Sequence, residues 1–377
     1  MIPETFHVER FFAEHEFTTP HLLAVSDCQS MRLGELLELE PDSREAFEAI
    51  WLGYTPSEGG EALREAVAAT TPGLEADDVL IHAAGVEVLL TLAHAVLGPG
   101  DHAVVQSPCY QALRSAPEMA GARVTRWEGV PGASWRWDLE RLESLMRPET
   151  RLLVVNTPHN PTGHQFGLEA MEHLVALCEA RGVQLFVDEA YRGTERRTED
   201  RLPSVTELSE SAAALGLLSK GYGLPGLRIG WLASRNRGLL EAAGRVKDFT
   251  TICAPAPAEF LGALALRHHR TLLARTRSLL RENLGVLADF MGRHRDRFDW
   301  HAPDAGSVCF PLLKTGDAES FCRAAREEAG VLLAPGRLFD AHTEAVRIGF
   351  GRAAFPEDLG ALEAWMQSGE RGGPADS

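Results

Sequence analysis

A chain of 377 residues is long for a single hydrophobic core, so two domains are expected. Hydrophobic residues make up 45% of it and charged residues 24%, as in an ordinary globular protein, and no apolar run is long enough to span a bilayer. The net charge of −17 disfavours nucleic acid and anionic membranes as partners.

Two properties can be inferred from the cysteines, the histidines and the first residues: the cellular compartment of the protein and whether it binds a metal. No two cysteines form a Cys-x-x-Cys pair, and the histidines show no spacing typical of a metal site. Residues 1–5 lack the basic start of a signal peptide. We therefore expect a reduced, cytoplasmic protein without a bound metal.

Through the middle of the chain, apolar runs of strand length alternate with helical patterns. The predicted strands are Val79–His82, His102–Gln106, Arg123–Trp127, Leu152–Asn156, Gln184–Val187, Ala214–Leu218 and Ile229–Ala233. The predicted helices between them include Val86–Val96, Tyr110–Ala120 and Leu168–Arg181. This alternation predicts an α/β fold with a mostly parallel seven-stranded sheet, covered by helices on both faces. Ligands of such sheets bind beyond the carboxyl ends of the strands.

The last third of the chain shows a different pattern. Leucines recur at helical spacing from Pro255 to Arg293, which predicts a long helix that leads into a small α+β domain. We expect an N-terminal arm over residues 1–45, a large domain over 46–275 and a small domain over 276–367, with the arm part of the small domain. Residues 368–377 are small, polar and glycine-rich, and are expected to be frayed.

Lys220 is one of only three lysines, and it follows an apolar run. A loop of glycine and proline comes next, and Arg228 lies eight residues after the lysine. A lysine that forms a Schiff base needs a partly desolvated amine and a nearby group that binds the anionic part of the cofactor. The ordinary interpretation is a surface lysine at the end of a strand.

Three further motifs accompany the lysine segment. They are Asn156-Thr157-Pro158-His159-Asn160-Pro161-Thr162-Gly163, Asp188-Glu189-Ala190-Tyr191 and Val346-Arg347-Ile348-Gly349-Phe350. In order and spacing the four motifs resemble those of the class I/II aminotransferases, which are fold-type I enzymes that use pyridoxal 5′-phosphate (PLP). The resemblance covers about residues 54–347. It implies PLP as the cofactor, with an amino acid and a 2-oxo acid as substrates.

The resemblance also implies a role for each motif residue. Lys220 binds the aldehyde of PLP and carries protons, Asp188 pairs with the pyridinium nitrogen, and Arg347 binds the α-carboxylate of the substrate. The other expected cofactor contacts are Asn160 and Tyr191 at the phenolate oxygen, Tyr110 on the ring, and Ala84, Gly85, Val86, Ser219 and Arg228 at the phosphate. Tyr191 joins Lys220 and Asp188 as a catalytic residue, and Asn160 is also expected to contact the substrate.

Each of these residues also has a structural interpretation. Asp188 could be a helix cap, Asn160 a turn residue before a proline, and Tyr110 a buried core tyrosine. Arg347 could be a surface arginine on a strand. The occurrence of four motifs in the family's order favours the catalytic interpretation.

One position departs from the family pattern. Many members carry Ser or Thr three residues before the lysine, where the hydroxyl contacts the phosphate, whereas this chain has Leu217. One phosphate hydrogen bond is therefore expected to be missing, or to come from Ser219 or another hydroxyl.

Tyr54 matches the tyrosine that reaches the phosphate of the partner subunit in the family. The resemblance therefore implies a homodimer with two shared active sites. Taken alone, Tyr54 is a tyrosine in a loop.

The sequence leaves the reaction open, since one fold supports several. Transamination is the first expectation. The alternative is elimination and cyclisation, or oxidation, of an arginine-like amino acid, because parts of the chain also resemble capreomycidine synthase. In arginine-oxidising relatives, acidic residues of the N-terminal arm meet the guanidinium, and Glu16 and Asp27 align with them. Solvated surface carboxylates are an equal alternative for these two residues.

Overall fold

The computed structural model of the chain describes residues 4–131, 135–341 and 344–371. Its α-helices are α1 (His7–His15), α2 (Leu33–Leu37), α3 (Ser43–Glu48), α4 (Glu61–Ala68), α5 (Gly85–Val96), α6 (Gln111–Met119), α7 (Leu139–Leu145), α8 (Leu168–Arg181), α9 (Val205–Leu208), α10 (Arg237–Lys247), α11 (Ala256–Arg267), α12 (His269–Arg293), α13 (Ala318–Ala329) and α14 (Phe355–Arg371). Its strands are β1 (His21–Leu22), β2 (Val79–His82), β3 (His102–Ser107), β4 (Arg123–Glu128), β5 (Thr150–Asn156), β6 (Gln184–Asp188), β7 (Ala213–Leu217), β8 (Gly230–Ala233), β9 (Phe298–Asp299), β10 (Val308–Cys309), β11 (Leu312–Leu313), β12 (Val331–Leu332), β13 (Ala334–Pro335) and β14 (Val346–Gly349).

Seven strands form one sheet in the order β2-β8-β7-β6-β5-β3-β4. The strands from β3 to β7 are parallel to one another. Strand β8 is antiparallel to both of its neighbours, β2 and β7. All seven predicted strands are present with bounds shifted by two residues at most, so the prediction of a mostly parallel α/β sheet is confirmed.

The central strands are apolar along their whole length because both faces of the sheet are covered. In β5, Leu153 packs into the core on one face and Val154 into the core on the other. In β6, Leu185 packs into the same core as Leu153, and Phe186 packs into the core on the other face. Successive side chains of a strand point to opposite faces, so each apolar run contributes to two cores.

The C-terminal part of the chain forms small sheets that pack on α12, α13 and α14. Strands β10, β14 and β13 form an antiparallel sheet, and β9 pairs with β11. The N-terminal strand β1 pairs in parallel with β12, so the first residues of the chain pack with some of the last. Phe290 and Ile348 are among the buried residues of this core.

Two expectations for the C-terminal third need correction. The predicted long helix is two helices, α11 and α12, which are separated at His268. No proline or glycine marks this break. Instead, Arg267 and His268 both contact the carboxylate of Glu40, at 2.8 and 2.9 Å. The break therefore lies at a contact with a residue that is more than 200 positions away in the sequence. At the end of the chain, α14 continues to Arg371 into the segment expected to be frayed, and residues 372–377 lie outside the described residues.

Among the helices of the described residues, none combines the length and the apolar character that a membrane crossing requires.

Candidate active site

A cavity of about 340 Å³ opens at the carboxyl ends of the central strands. All the predicted site residues except Tyr54 line it, namely Glu16, Asp27, Ala84, Gly85, Val86, Tyr110, Asn160, Asp188, Tyr191, Ser219, Lys220, Arg228 and Arg347. Tyr54 is 87% exposed and does not line the cavity. The fold therefore gathers residues that are up to about 330 positions apart in the sequence.

Asp188 is the last residue of β6 and is buried at the floor of the cavity. Asn156, at the end of the neighbouring strand, donates from Nδ2 to the carbonyl of Asp188 at 2.9 Å and accepts from the backbone N–H of Asn160 at 2.7 Å. One side chain thus fixes two predicted site residues relative to each other. The Asp188 carboxylate accepts one hydrogen bond within the described residues, from the Ala190 N–H at 3.0 Å.

Burial raises the pKa of Asp188 to about 6, although the Ala190 N–H and the charge of Lys220 act in the opposite direction. The negative charge of a buried carboxylate that accepts only one hydrogen bond is poorly compensated. A protonated ring nitrogen placed against it would supply the missing charge partner and hydrogen bond.

Lys220 follows β7, and its Nζ donates to the Oγ of Ser26 at 2.9 Å. The chain then turns sharply, with the N–H of Gly223 donating to the Lys220 carbonyl at 3.0 Å. Gly223 has a φ of +69°, and a Cβ atom there would lie 2.6 Å from the carbonyl oxygen of Gln29. Only glycine fits this turn, which aims the lysine into the cavity.

The N-terminus of α5 lies at one end of the cavity and points its free N–H groups into it. Ala84, which precedes the helix, has a φ of 100°, and Arg228 has a φ of 54°. Backbone strain at two non-glycine residues of one cavity is typical of a functional site. A helix N-terminus and an arginine together form a site for an anion such as a phosphate.

Leu217 packs beside this helix N-terminus. Its Cδ2 would lie 3.0 Å from a Cβ atom placed on Gly85, so the two residues fit closely. The position that carries a hydroxyl in many relatives is therefore filled by apolar contact. Ser219, which also lines the cavity, is the hydroxyl that the sequence analysis suggested in its place.

Arg347, on β14, is only 2% exposed. Its Nη1 donates to Asn160 Oδ1 at 2.9 Å and its Nη2 to the carbonyl of Ala24 at 2.6 Å. Its Nε is buried and has no hydrogen-bond partner among the described residues. Burial lowers the pKa of Arg347 to about 10. A buried guanidinium with a free donor is suited to a carboxylate ligand.

Tyr110 and Tyr191 line the cavity and contact residues of the N-terminal arm. Tyr110 donates to Glu9 Oε1 at 2.7 Å, and burial, followed by the charge of Glu9, raises the pKa of Tyr110 well above its usual value. Tyr191 donates to the carbonyl of Ser26 at 3.2 Å. Helix α1 and the segment after β1 therefore close the cavity from the side opposite the sheet.

Glu16 and Asp27, the two arm carboxylates predicted to meet a cationic substrate, contact a cation of the protein. Asp27 accepts two hydrogen bonds from Arg352, at 3.0 and 3.2 Å, and Glu16 accepts a longer one at 3.5 Å. These carboxylates line the cavity, but they already share a guanidinium.

Three residues at or beside this cavity, Ser26, Glu9 and Arg352, are not predicted by the sequence motifs. None of them lies in a motif that resembles the family. The only available signal was position, because Ser26 is adjacent to Asp27 and Arg352 lies five residues after Arg347. The fold, rather than any local pattern, brings Glu9 and Ser26 to the cavity and Arg352 to the carboxylates of Glu16 and Asp27.

Residues 22–358 match the sequence model of the family described as aminotransferase class I and II. The chain is 30% identical over 369 residues to capreomycidine synthase of Streptomyces vinaceus, covering 94% of this chain and 93% of that protein. It is 26% identical over 334 residues to aspartate aminotransferase of Thermotoga maritima, covering 86% and 85%. The crystal structure of a PLP-dependent aminotransferase from Streptococcus suis 89-1591 covers both chains completely, with 30% identity and a TM-score of 0.92.

Proposed function

The chain belongs to the class I and II aminotransferases, fold-type I enzymes that use PLP to exchange an amino group between an amino acid and a 2-oxo acid, and from this premise we propose how its residues divide the work. PLP, when bound, supplies an electron sink for the α-carbon of the substrate. The geometry that supports this proposal most strongly is the placement of Asp188, Lys220 and Arg347 around one cavity.

Lys220 holds the cofactor through its amine and moves the proton at the α-carbon of the substrate. Asp188 keeps the ring nitrogen charged, because its buried carboxylate is stabilised by a cation beside it. Asn160 and Tyr191 donate to the phenolate oxygen, and Tyr110 packs on the ring. Burial of the cavity wall by α1 excludes water from these contacts.

Arg347 binds the α-carboxylate of the substrate. Its unpartnered Nε and its buried position support this role, since a carboxylate would satisfy the free donor and compensate the buried charge. The N-terminus of α5, Ser219 and Arg228, which also line the cavity, would hold the phosphate. These two anion sites fix the orientation of the ligand.

The enzyme is a homodimer whose two sites are each completed by Tyr54 of the partner subunit. In one chain, Trp51, Leu52 and Tyr54 are exposed, and so is Phe249. Their two loops are joined where Thr55 Oγ1 donates to the carbonyl of Ala254 at 2.9 Å. A large exposed apolar patch of this kind is typical of an interface, and a second copy of the chain is the partner we assign to it.

We assign the enzyme to amino acid biosynthesis in the cytoplasm. All six cysteines are free thiols, five of them buried, which suits a reducing compartment. The N-terminal arm and the C-terminal elements from α12 onward form a small domain that packs on a large domain carrying Lys220 and Asp188.

A second candidate function is elimination and cyclisation, or oxidation, of an arginine-like amino acid. The observation that favours it is the row of carboxylates along the arm side of the cavity, Glu9, Glu16 and Asp27. A guanidinium would bind among them once Arg352 shared or released its partners. Capreomycidine synthase of Streptomyces vinaceus is also among the relatives with the highest identity.

The experiment that tests the assignment starts with the purified protein and PLP. Borohydride treatment should remove the visible absorbance and leave a reduced adduct on Lys220, as shown by mass analysis. An adduct on Lys247 or Lys314 would reject the assignment. Each amino acid is then added in turn, and release of a 2-oxo acid indicates transamination, whereas release of ammonia indicates elimination.

A further inference from the structure

Ser26 lies on a segment that connects the two cations of the proposed reaction. At one end of this segment, the carbonyl of Ala24 accepts from Arg347 Nη2 at 2.6 Å. Two residues later, Ser26 Oγ accepts from Lys220 Nζ at 2.9 Å. The lysine therefore contacts a hydroxyl that belongs to none of the four motifs.

The backbone of Ser26 is held in place independently of the lysine. Its carbonyl accepts from Ser307 Oγ at 2.7 Å, an anchor that remains when the Tyr191 hydroxyl, which donates to the same carbonyl at 3.2 Å, turns to the cofactor. The nearby strand β1 is paired with β12. The fold thus presents the Ser26 hydroxyl to Lys220, and the contact does not depend on a freely rotating surface side chain.

A hydroxyl is suited to an amine that changes its protonation state. It accepts a hydrogen bond from an ammonium group and can donate one to a neutral amine. In the proposed reaction the nitrogen of the substrate forms a C=N bond to the aldehyde carbon of PLP while the C=N bond to Nζ breaks. With both C=N nitrogens protonated, one hydrogen would pass from the substrate amine to Nζ, and with both unprotonated two would pass. Either way Lys220 would be left as a free amine beside the α-carbon.

We propose that Ser26 is a positioning residue that receives the Lys220 amine each time a substrate displaces it from the cofactor. A free amine has two or three hydrogens to share with Ser26 Oγ, whereas a nitrogen in a C=N bond has at most one. The contact therefore favours the displaced lysine. This inference rests on the proposed role of Lys220 and identifies the group that holds the lysine while it handles the substrate's proton.

The test measures displacement in the PLP-loaded enzyme without turnover. The probe is 2-aminoisobutyrate, which has an α-amino group and an α-carboxylate but no α-hydrogen to lose. Borohydride then fixes the cofactor either on Lys220 or on the probe, and mass analysis gives the ratio. In Ser26→Ala the probe concentration for half displacement is expected to rise about tenfold, the effect of losing one hydrogen bond to a charged group.

Two variants separate the hydroxyl from a general effect on the segment. Ser26→Thr keeps a hydroxyl. In this variant the midpoint, that is, the probe concentration for half displacement, is expected to return toward that of the unmodified sequence. Ser307→Ala removes one backbone anchor and is expected to change the midpoint by about twofold at most. An unchanged midpoint in Ser26→Ala, or an equal rise in Ser307→Ala, overturns the proposal.

A second measurement is independent of the affinity for the probe. With an α-deuterated substrate, the isotope effect on kcat should increase in Ser26→Ala, because a poorly held lysine slows proton transfer relative to the other steps. An isotope effect equal to that of the unmodified enzyme contradicts the proposal. If instead no adduct forms on Lys220 in the unmodified protein, the assignment of Lys220 itself fails, which is a different outcome.

Discussion

Arg347 donates from Nη1 to Asn160 Oδ1 at 2.9 Å, and this contact joins β14 to the turn that follows β5. One of these residues is proposed to bind the substrate and the other the cofactor. Because they touch, a carboxylate that draws the guanidinium also orients the amide of Asn160. With these proposed roles, a single hydrogen bond would link substrate recognition to cofactor binding.

Arg347→Lys should reduce kcat/KM for amino acids about a hundredfold, equivalent to about 3 kcal/mol. Lysine keeps the charge but loses the planar fork and the contacts with Asn160 and Ala24. Steady-state kinetics with an amino acid and with the matching primary amine test this. The preference for the amino acid should collapse, since the amine lacks the carboxylate, and a preference that survives would show that Arg347 binds something else.

Asp188→Asn should abolish most turnover and also change how stability depends on pH. Burial raises the pKa of Asp188 from 3.8 to about 6, so the folded protein without PLP binds its proton more tightly than the unfolded chain does. The contribution of Asp188 to the stability of the unmodified protein should therefore fall as pH rises through this window. The full penalty, about 3 kcal/mol for a shift of roughly two pKa units, remains above pH 7.

Urea unfolding of the PLP-free proteins at pH 4 and pH 8 measures this effect. Asn cannot ionise, so the stability of Asp188→Asn relative to the unmodified protein should increase by about 2 kcal/mol between the two pH values, because part of the penalty is already present at pH 4. With PLP bound at pH 8, the unmodified protein should be the more stable of the two, because the protonated ring nitrogen compensates the negative charge of the Asp188 carboxylate. A pH-independent difference would mean that Asp188 is not the group that titrates.

Hybrid dimers test the role of Tyr54. Inactive Tyr54→Ala and Lys220→Ala chains, mixed in equal amounts and allowed to exchange subunits, should regain about one quarter of the original activity. This fraction follows from random pairing, since each hybrid contains one site with both residues intact. Lys220→Ala mixed with Asp188→Ala is the matched control and should regain nothing, because both residues come from one chain. Equal recovery in the two mixtures would contradict a site shared in this way.

Arg352→Met tests whether the arm carboxylates recognise a cationic substrate. Removing the guanidinium frees Asp27 and Glu16, so arginine should perturb the spectrum of bound PLP at a lower concentration than before. The responses to leucine and aspartate serve as controls and should not improve. Asp27→Asn should weaken the response to arginine selectively. If the concentration that perturbs the PLP spectrum changed equally for all three amino acids, Asp27, Glu16 and Arg352 would be a structural cluster only. That result would favour a general aminotransferase.

Most of the large sheet could be predicted from the sequence because its strands are buried on both faces and appear as continuous apolar runs. The motif residues could be identified because they stand in four short segments in the order of the family. Asp188 ends β6, and Asn160 and Lys220 follow β5 and β7 by four and three residues. The break at His268 could not be predicted, since it occurs beside contacts with Glu40 and without a proline or glycine. Ser26 was missed for a similar reason, because its contact with Lys220 spans 194 positions of the sequence.

The pairing of β1 with β12 has a consequence for the biogenesis of the enzyme. His21 and Leu22 emerge first from the ribosome, but their partners Val331 and Leu332 are made only after more than three hundred further residues. Until then the segment that carries Ser26 and Asp27 has no strand to pair with. Contacts of such long sequence separation form slowly, because the intervening chain must be ordered first. The catalytic pocket is therefore expected to close only after β12 has been made, so that a chain truncated before Val331 cannot assemble it.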